Sequence, residues 1–323
     1  MHPPIAVDAM GGDHAPAAVV DGARLAVDAG IGVVLVGNPD LIGDTGGIPV
    51  HPAYEVIGMA DDPGRSVRTR KDASVVRAAE LVRDGAASAL VGVGNSGATM
   101  AAALLRMGRI RGVRRPAITA LIPVPLSGGR HTVMLDAGAN VDCTAEMLDQ
   151  FGRMGAAFAH THLGVASPTV AVLTIGEEAG KGNDLARHAA ALLAGRPVVA
   201  GGRFAGNAEG RDIFGGTFDV VVCDGFTGNV ALKAMEGATL ASAALFRSIL
   251  DAHGVVIDGL ASHLSDIDPD EHNGAYLLGV DGVCVIGHGA SGPRAVAVAI
   301  EAASQMVGAG VVAAIRSAVA LPT

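Results

Sequence analysis

Tryptophan is absent from this chain of 323 residues, tyrosine occurs twice, and aromatic residues make up only 3% of it. A core of ordinary size must therefore be assembled from Ala, Val, Leu and Ile, with close backbone approaches at some of the 46 glycines. Cysteine is scarce too. Cys143, Cys223 and Cys284 are odd in number, far apart and without CxxC spacing, which speaks against a disulfide framework and fits a reduced, cytoplasmic setting. No stretch approaches the ~20 uninterrupted apolar residues of a membrane helix, because the most apolar segment, Met306 to Leu321, is broken by Arg316. Positive charge is in deficit. A net charge of −9 argues against general nucleic-acid binding, which needs a basic surface.

What is present is an alternation of strand and helix patterns along the whole chain. Strands are predicted at Ile5–Asp8, Val33–Gly37, Tyr54–Ile57, Ala89–Val93, Ile118–Ile122, Thr132–Asp136, Val170–Ile175, Val220–Cys223, Leu277–Leu278 and Val283–Ile286. Helical periodicity fills Ala15–Ala29, the stretch to Asp84, Thr144–Leu163, Asp184–Leu193, Val230–Leu250 and the C-terminus, while 61–72 reads as an exposed loop and 251–272 as irregular. Such alternation predicts a mainly parallel sheet in one α/β domain over residues 1–323, a Rossmann-like three-layer α/β/α arrangement.

The centre of this pattern is ALVGVGNSGATMAAALL, from Ala89 to Leu105: strand, glycine turn, helix. The first N–H groups of a helix lack internal partners and the helix dipole adds positive charge there, so Asn95, Ser96, Gly97 and Ala98 are candidate phosphate-binding residues. Gly92, Gly94 and Gly97 also spell GxGxxG. No acid follows between Asn95 and Asp136 to hold a ribose hydroxyl, so a nicotinamide dinucleotide site is disfavoured, although an arginine would suit a 2′-phosphate.

Three predicted strands end in Asp followed closely by Gly, at Asp8, Asp136 and Asp224. Strand ends in an open parallel sheet share one edge, which predicts one neighbourhood for the three; each Asp also suits the plainer role of ordering its own turn. Asp13 and His14 stand in a strand-to-helix loop, where His14 is a candidate base and either is a candidate helix cap. His288 in GHGAS is comparable. Glu177 and Glu178 supply too few ligands to predict a metal.

The motifs DAMGGDHAP, RKDAS, GNSGA, LDAGAN, IGEE with KGN, GNAEGRDIF, CDGFTGN and HGAS occur in that order over nearly the full length. Carrying them, the sequence resembles the bacterial phosphate acyltransferases, the PlsX family. The resemblance implies an isocitrate dehydrogenase/phosphotransacetylase-like fold, a homodimer built on a smaller part, and transfer of a fatty acyl group from acyl carrier protein to inorganic phosphate for phospholipid synthesis. It implies no cofactor. A phosphotransacetylase-like enzyme using acyl coenzyme A, an isocitrate-type dehydrogenase and a non-catalytic scaffold are the alternatives.

On that resemblance Lys181 and Asn229 are the expected catalytic pair, with Asp8, Asp13, His14, Asp136, Asn140, Glu177, Asn183, Asp224 and His288 in the loops around them. An acidic carrier needs a positive patch on an acidic enzyme, and Arg106, Arg109, Arg111, Arg114 and Arg115 are the first choice, with Arg65, Arg68, Arg70 and Lys71 the second. Members of the family often carry a basic, apolar hairpin thought to touch the membrane. Here the stretch from Leu245 to Gly279 holds Arg247 as its only Lys or Arg, so the expected location is cytoplasmic, with the electrostatic half of a membrane anchor missing.

Overall fold

The computed structural model describes residues 2–125, 127–255, 257 and 274–320. Most of the stretch read as irregular, 251–272, and much of the expected membrane hairpin lie outside them. Eleven strands form one sheet: β1 (Ile5–Asp8), β2 (Val33–Gly37), β3 (Val50–Pro52), β4 (Ala89–Gly92), β5 (Ala117–Pro123), β6 (His131–Leu135), β7 (Thr169–Leu173), β8 (Arg203–Ala208), β9 (Val220–Val222), β10 (Ala275–Leu278) and β11 (Val283–Ile286). Their order is β3-β2-β1-β4-β11-β10-β5-β6-β9-β7-β8.

Both halves of the sheet are parallel, but β10 runs against β11 and β5, and β5 runs against β6. Three successive reversals leave the halves pointing opposite ways. The carboxyl ends of β1, β4 and β11 therefore face one edge, and those of β6, β9, β7 and β8 face the other. This corrects the expectation that Asp8 shares a neighbourhood with Asp136 and Asp224. Five strand-to-strand steps, at about 4.8 Å each, also separate β1 from β6.

Helices cover both faces, so most strands read as continuous apolar runs. On one face Phe151, Met154 and Phe158 of α6 (Ala145–His162) are fully buried with Val133, Leu135 and Val220, and there each aromatic side chain stabilises by about 1.5–3 kcal/mol. α1 (Ala17–Asp28), α7 (Asp184–Ala194), α10 (Pro293–Gly308) and α11 (Val311–Val319) share that face. The expected single C-terminal helix is broken at Gly310, whose φ of +67° suits glycine. No single helix among the described residues is long and apolar enough to cross a membrane.

The opposite face carries two separate cores. One joins α4 (Ser74–Arg83) and α5 (Ser96–Ala102) to β1, β4 and β11; the other joins α8 (Gly210–Gly215) and α9 (Gly225–Ala252) to β5, β6 and β9. Between them the helix layer opens. The remaining helices are α2 (Pro39–Ile42) and α3 (Pro63–Thr69).

Three local differences from the sequence pattern have physical causes. Residues 63–69, read as loop, form α3 because Asp62 caps Arg65 N and Pro63 opens the first turn. The strand expected at Tyr54–Ile57 lies earlier, at Val50–Pro52, where Leu35 pairs with Val50. Helix α9 starts at Gly225 rather than Val230, because Asp224 caps it through Thr227, so GFTGN is helix rather than loop.

Candidate active site

Glycines without side chains let three loops meet at the first sheet edge. A Cβ on Gly94 would fall 2.8 Å from the Gly11 Cα, so loop 8–14 and the GNSG turn touch backbone to backbone. Asp13 N donates to Gly289 O at 2.7 Å, which adds the HGAS loop. Asp8 is buried and accepts from Met10 N; burial pushes its carboxyl above the usual carboxylate value. Asp13 and His14 are exposed, and neither caps α1, which starts after Pro16 without a side-chain cap.

Asn95 is a structural clamp. Its Oδ1 accepts from Ala98 N at 3.0 Å, and its Nδ2 faces the carbonyls of Gly58, Met59 and Asp61, each at 3.2 Å. Those bonds occupy the amide and fix loop 58–61 beside the start of α5. Ser96 is exposed, Gly97 half-buried and Ala98 buried. Only Ser96 and Gly97 of this turn reach the cavity described below.

At the other edge Asp136, fully buried, collects five donors: the N–H groups of Ile118, Gly138, Ala139 and Asn140, and Asn140 Nδ2. The plainer turn-ordering role is the one it fills. Burial still holds its carboxyl above the ordinary value, against the pull of those bonds. Asn140 is engaged as well, with Nδ2 on Pro116 O at 2.8 Å. Asp224 caps α9, and Asn183 caps α7 by accepting from Ala186 N.

Asn229, on α9, donates to Ala137 O at 3.2 Å and is exposed at the end of β6. Lys181 is exposed on the loop after β7, at the same sheet edge. That loop is held from beneath by Asn207, a buried residue of β8 whose Nδ2 donates to Glu178 O at 2.7 Å. Lys181 does not line the cavity; Asn229 does. Glu177 pairs with Arg211 in the open. Among the described residues no group of three or more His, Cys, Asp or Glu is arranged to hold a metal.

The gap between α5 and α9 is a cavity of ≈ 640 Å³, within the range of ligand pockets. Its floor is apolar, from Ile118, Ala120 and Ile122 of β5, Ala275 of β10 and Ile286 of β11. One wall is Ser96, Gly97 and Met100; the facing wall is Asn229, Leu232, Lys233, Met235 and Glu236. His288 stands at its rim. Thus Ser96, Gly97, Asn229 and His288, separate in sequence, are brought to one space. Lys233 and Glu236 were not read as site residues; their signal was an acid–base pair one turn apart in an otherwise apolar helix.

Of the arginines, Arg106 is tied inward to Glu80 and to Val67 O. Arg109, Arg111, Arg114 and Arg115 are exposed. In α3, Arg65 and Arg68 are also exposed, beside the turn that Asn95 clamps.

The α/β/α sheet, opened at its centre over an apolar cavity, has the fold of the phosphotransacetylases. A phosphotransacetylase from Staphylococcus aureus superposes with a TM-score of 0.61 at 14% identity, covering 94% of each chain. A branched-chain phosphotransacylase from Enterococcus faecalis gives 0.59 at 14%, over 94% of this chain and 99% of that one. The family model described as fatty acid synthesis protein matches residues 4–314. The phosphate acyltransferase of Myxococcus xanthus is 43% identical over 342 residues, covering 99% of this chain and 96% of its own; that of Pelotomaculum thermopropionicum is 45% identical over 334, covering 98% and 94%. The chain belongs to the phosphate acyltransferase family.

Proposed function

We propose that the protein transfers a fatty acyl group from the thioester of an acyl carrier protein to inorganic phosphate. The observation that carries this reading is the cavity: an apolar floor suited to an acyl chain, with polar groups from the strand ends and along α9 in its walls. A phosphate oxygen attacks the thioester carbonyl, the carbon–sulfur bond breaks, and the proton carried by phosphate ends on the departing thiol. No protein nucleophile or redox group is needed. Asn229 donates to the oxyanion, and Ser96 and Gly97 offer N–H groups at the start of α5. Lys181 acts from the neighbouring loop as a charge that draws phosphate to this edge.

The donor docks on exposed arginines, Arg109, Arg111, Arg114 and Arg115, whose sign suits an acidic carrier. Phe226, Leu240 and Leu245 of α9 are each more than half exposed, and this exposed apolar surface supports a homodimer. Work in the cytoplasm, where carrier-bound acyl chains are made, completes the reading. The experiment compares acyl carrier protein with acyl coenzyme A as donors of the same acyl group. A kcat/KM at least tenfold higher for the carrier is expected; equal values would assign the coenzyme A alternative.

A further inference from the structure

Among the polar residues that α9 presents to the cavity, with Thr239 and Ser242 further along, Asn229, Lys233 and Glu236 are spaced four and three residues apart and so lie on one face. Lys233 Nζ donates to Glu236 Oε2 at 2.8 Å. The chain has three lysines, and neither Lys71 nor Lys181 lines the cavity; no arginine among the described residues does either. Ion pairs one turn apart on an open helix contribute little to its stability, so the pair is not required to hold α9. The Glu236 side chain is the more withdrawn, at 21% exposure against 50% for Lys233, so Lys233 lines the cavity with its side chain still accessible.

We propose that Lys233 is the cation of an oxyanion subsite in this wall, taking inorganic phosphate or the phosphoryl group of an acyl phosphate, with Glu236 as its positioning residue. This rests on the acyl-transfer reading and goes beyond it by assigning the anion's place. An ammonium has three donors. One is spent on Glu236, which fixes the side chain against the helix, and two remain for phosphate oxygens beside the Asn229 amide. Partial exclusion of water by the apolar floor strengthens that attraction relative to the surface. Lys181, on an exposed loop, contributes at longer range and is screened by salt.

The test uses purified full-length protein, wild type and K233A, K233R, E236Q and K181A. Phosphate binding is followed by ³¹P NMR titration with inorganic phosphate alone, and phosphate and donor KM by thiol release. K233A is expected to weaken phosphate binding and raise phosphate KM tenfold or more, with donor KM within twofold. K233R restores part of the affinity, E236Q raises phosphate KM several-fold, and high salt erodes the K181A effect more than the K233A effect. A folded K233A protein with wild-type phosphate binding and KM overturns the proposal. Wild-type protein that binds phosphate yet releases no thiol overturns the acyl-transfer reading instead, and the NMR comparison still decides the subsite.

Discussion

A Cβ placed on Gly228 would lie 1.9 Å from the Asp136 carbonyl oxygen, so the first turn of α9 rests directly on the backbone that ends β6. That contact sets where Asn229 stands, one residue on. Gly228→Ala must push α9 off the strand, because backbone cannot yield as a side chain would. The expected cost is roughly 1–3 kcal/mol of stability. Turnover falls further than stability, since Asn229 and Lys233 move with the helix. Thermal melting and kcat on the same preparation check this.

Asn95 separates two effects that one substitution would merge. Asn95→Ala removes a helix cap and three donor contacts, with an expected loss of about 0.5–2 kcal/mol from the cap alone. Asn95→Asp keeps the cap but turns a carboxylate toward the carbonyls of Gly58, Met59 and Asp61. Denaturant unfolding should therefore rank Asp below Ala, the reverse of their order as caps.

Asp8 and Asp136 make stability depend on pH in an unusual direction. Burial raises both carboxyls above 3.8, so each disfavours its charged form in the folded chain. Their stabilising contribution is full below 3.8 and is lost as pH rises through the raised values. Asp8→Asn removes one of these titrations. The stability difference between wild type and this variant should shift against wild type as pH rises from 3.5 to 7, measured by urea unfolding.

Asp149 anchors the helix layer away from the site. It is fully buried, with Arg153 at 2.8 Å and Arg196 at 2.5 Å. Arg153 is 2% exposed and cannot reach water once its partner is gone. Asp149→Ala should cost about 3–5 kcal/mol. Replacing Arg196, whose side chain is 20% exposed, should cost clearly less. Paired urea unfolding curves decide the order.

Much of the fold was legible because its strands are short apolar runs closed by glycine and aspartate. The direction of the sheet was not. Nothing local in LLGVDGVCVIG says that β10 lies against β5, and it takes that antiparallel pairing together with the β11–β10 and β5–β6 reversals to send Asp8 and Asp136 to opposite edges. The GNSG turn was visible, whereas the role of Asn95 depends on loop 58–61, far away in sequence. Asn229 was singled out through the family resemblance that GFTGN carries, and its helical setting required the Asp224 cap to win over two glycines. Lys233 was hidden by its neighbours: an acid–base pair in a helix reads as a solvated face until the sheet beneath it is known to be uncovered.

The central claim is that phosphate is the acceptor of the acyl group. The most direct measurement is thiol release from a long-chain acyl carrier protein by the purified protein, with and without inorganic phosphate, with hydroxylamine present to trap acyl phosphate as a hydroxamate. Release that requires phosphate and yields the hydroxamate is the predicted result. Release at the same rate without phosphate, with no phosphate-dependent hydroxamate, would contradict it and make the protein a thioesterase.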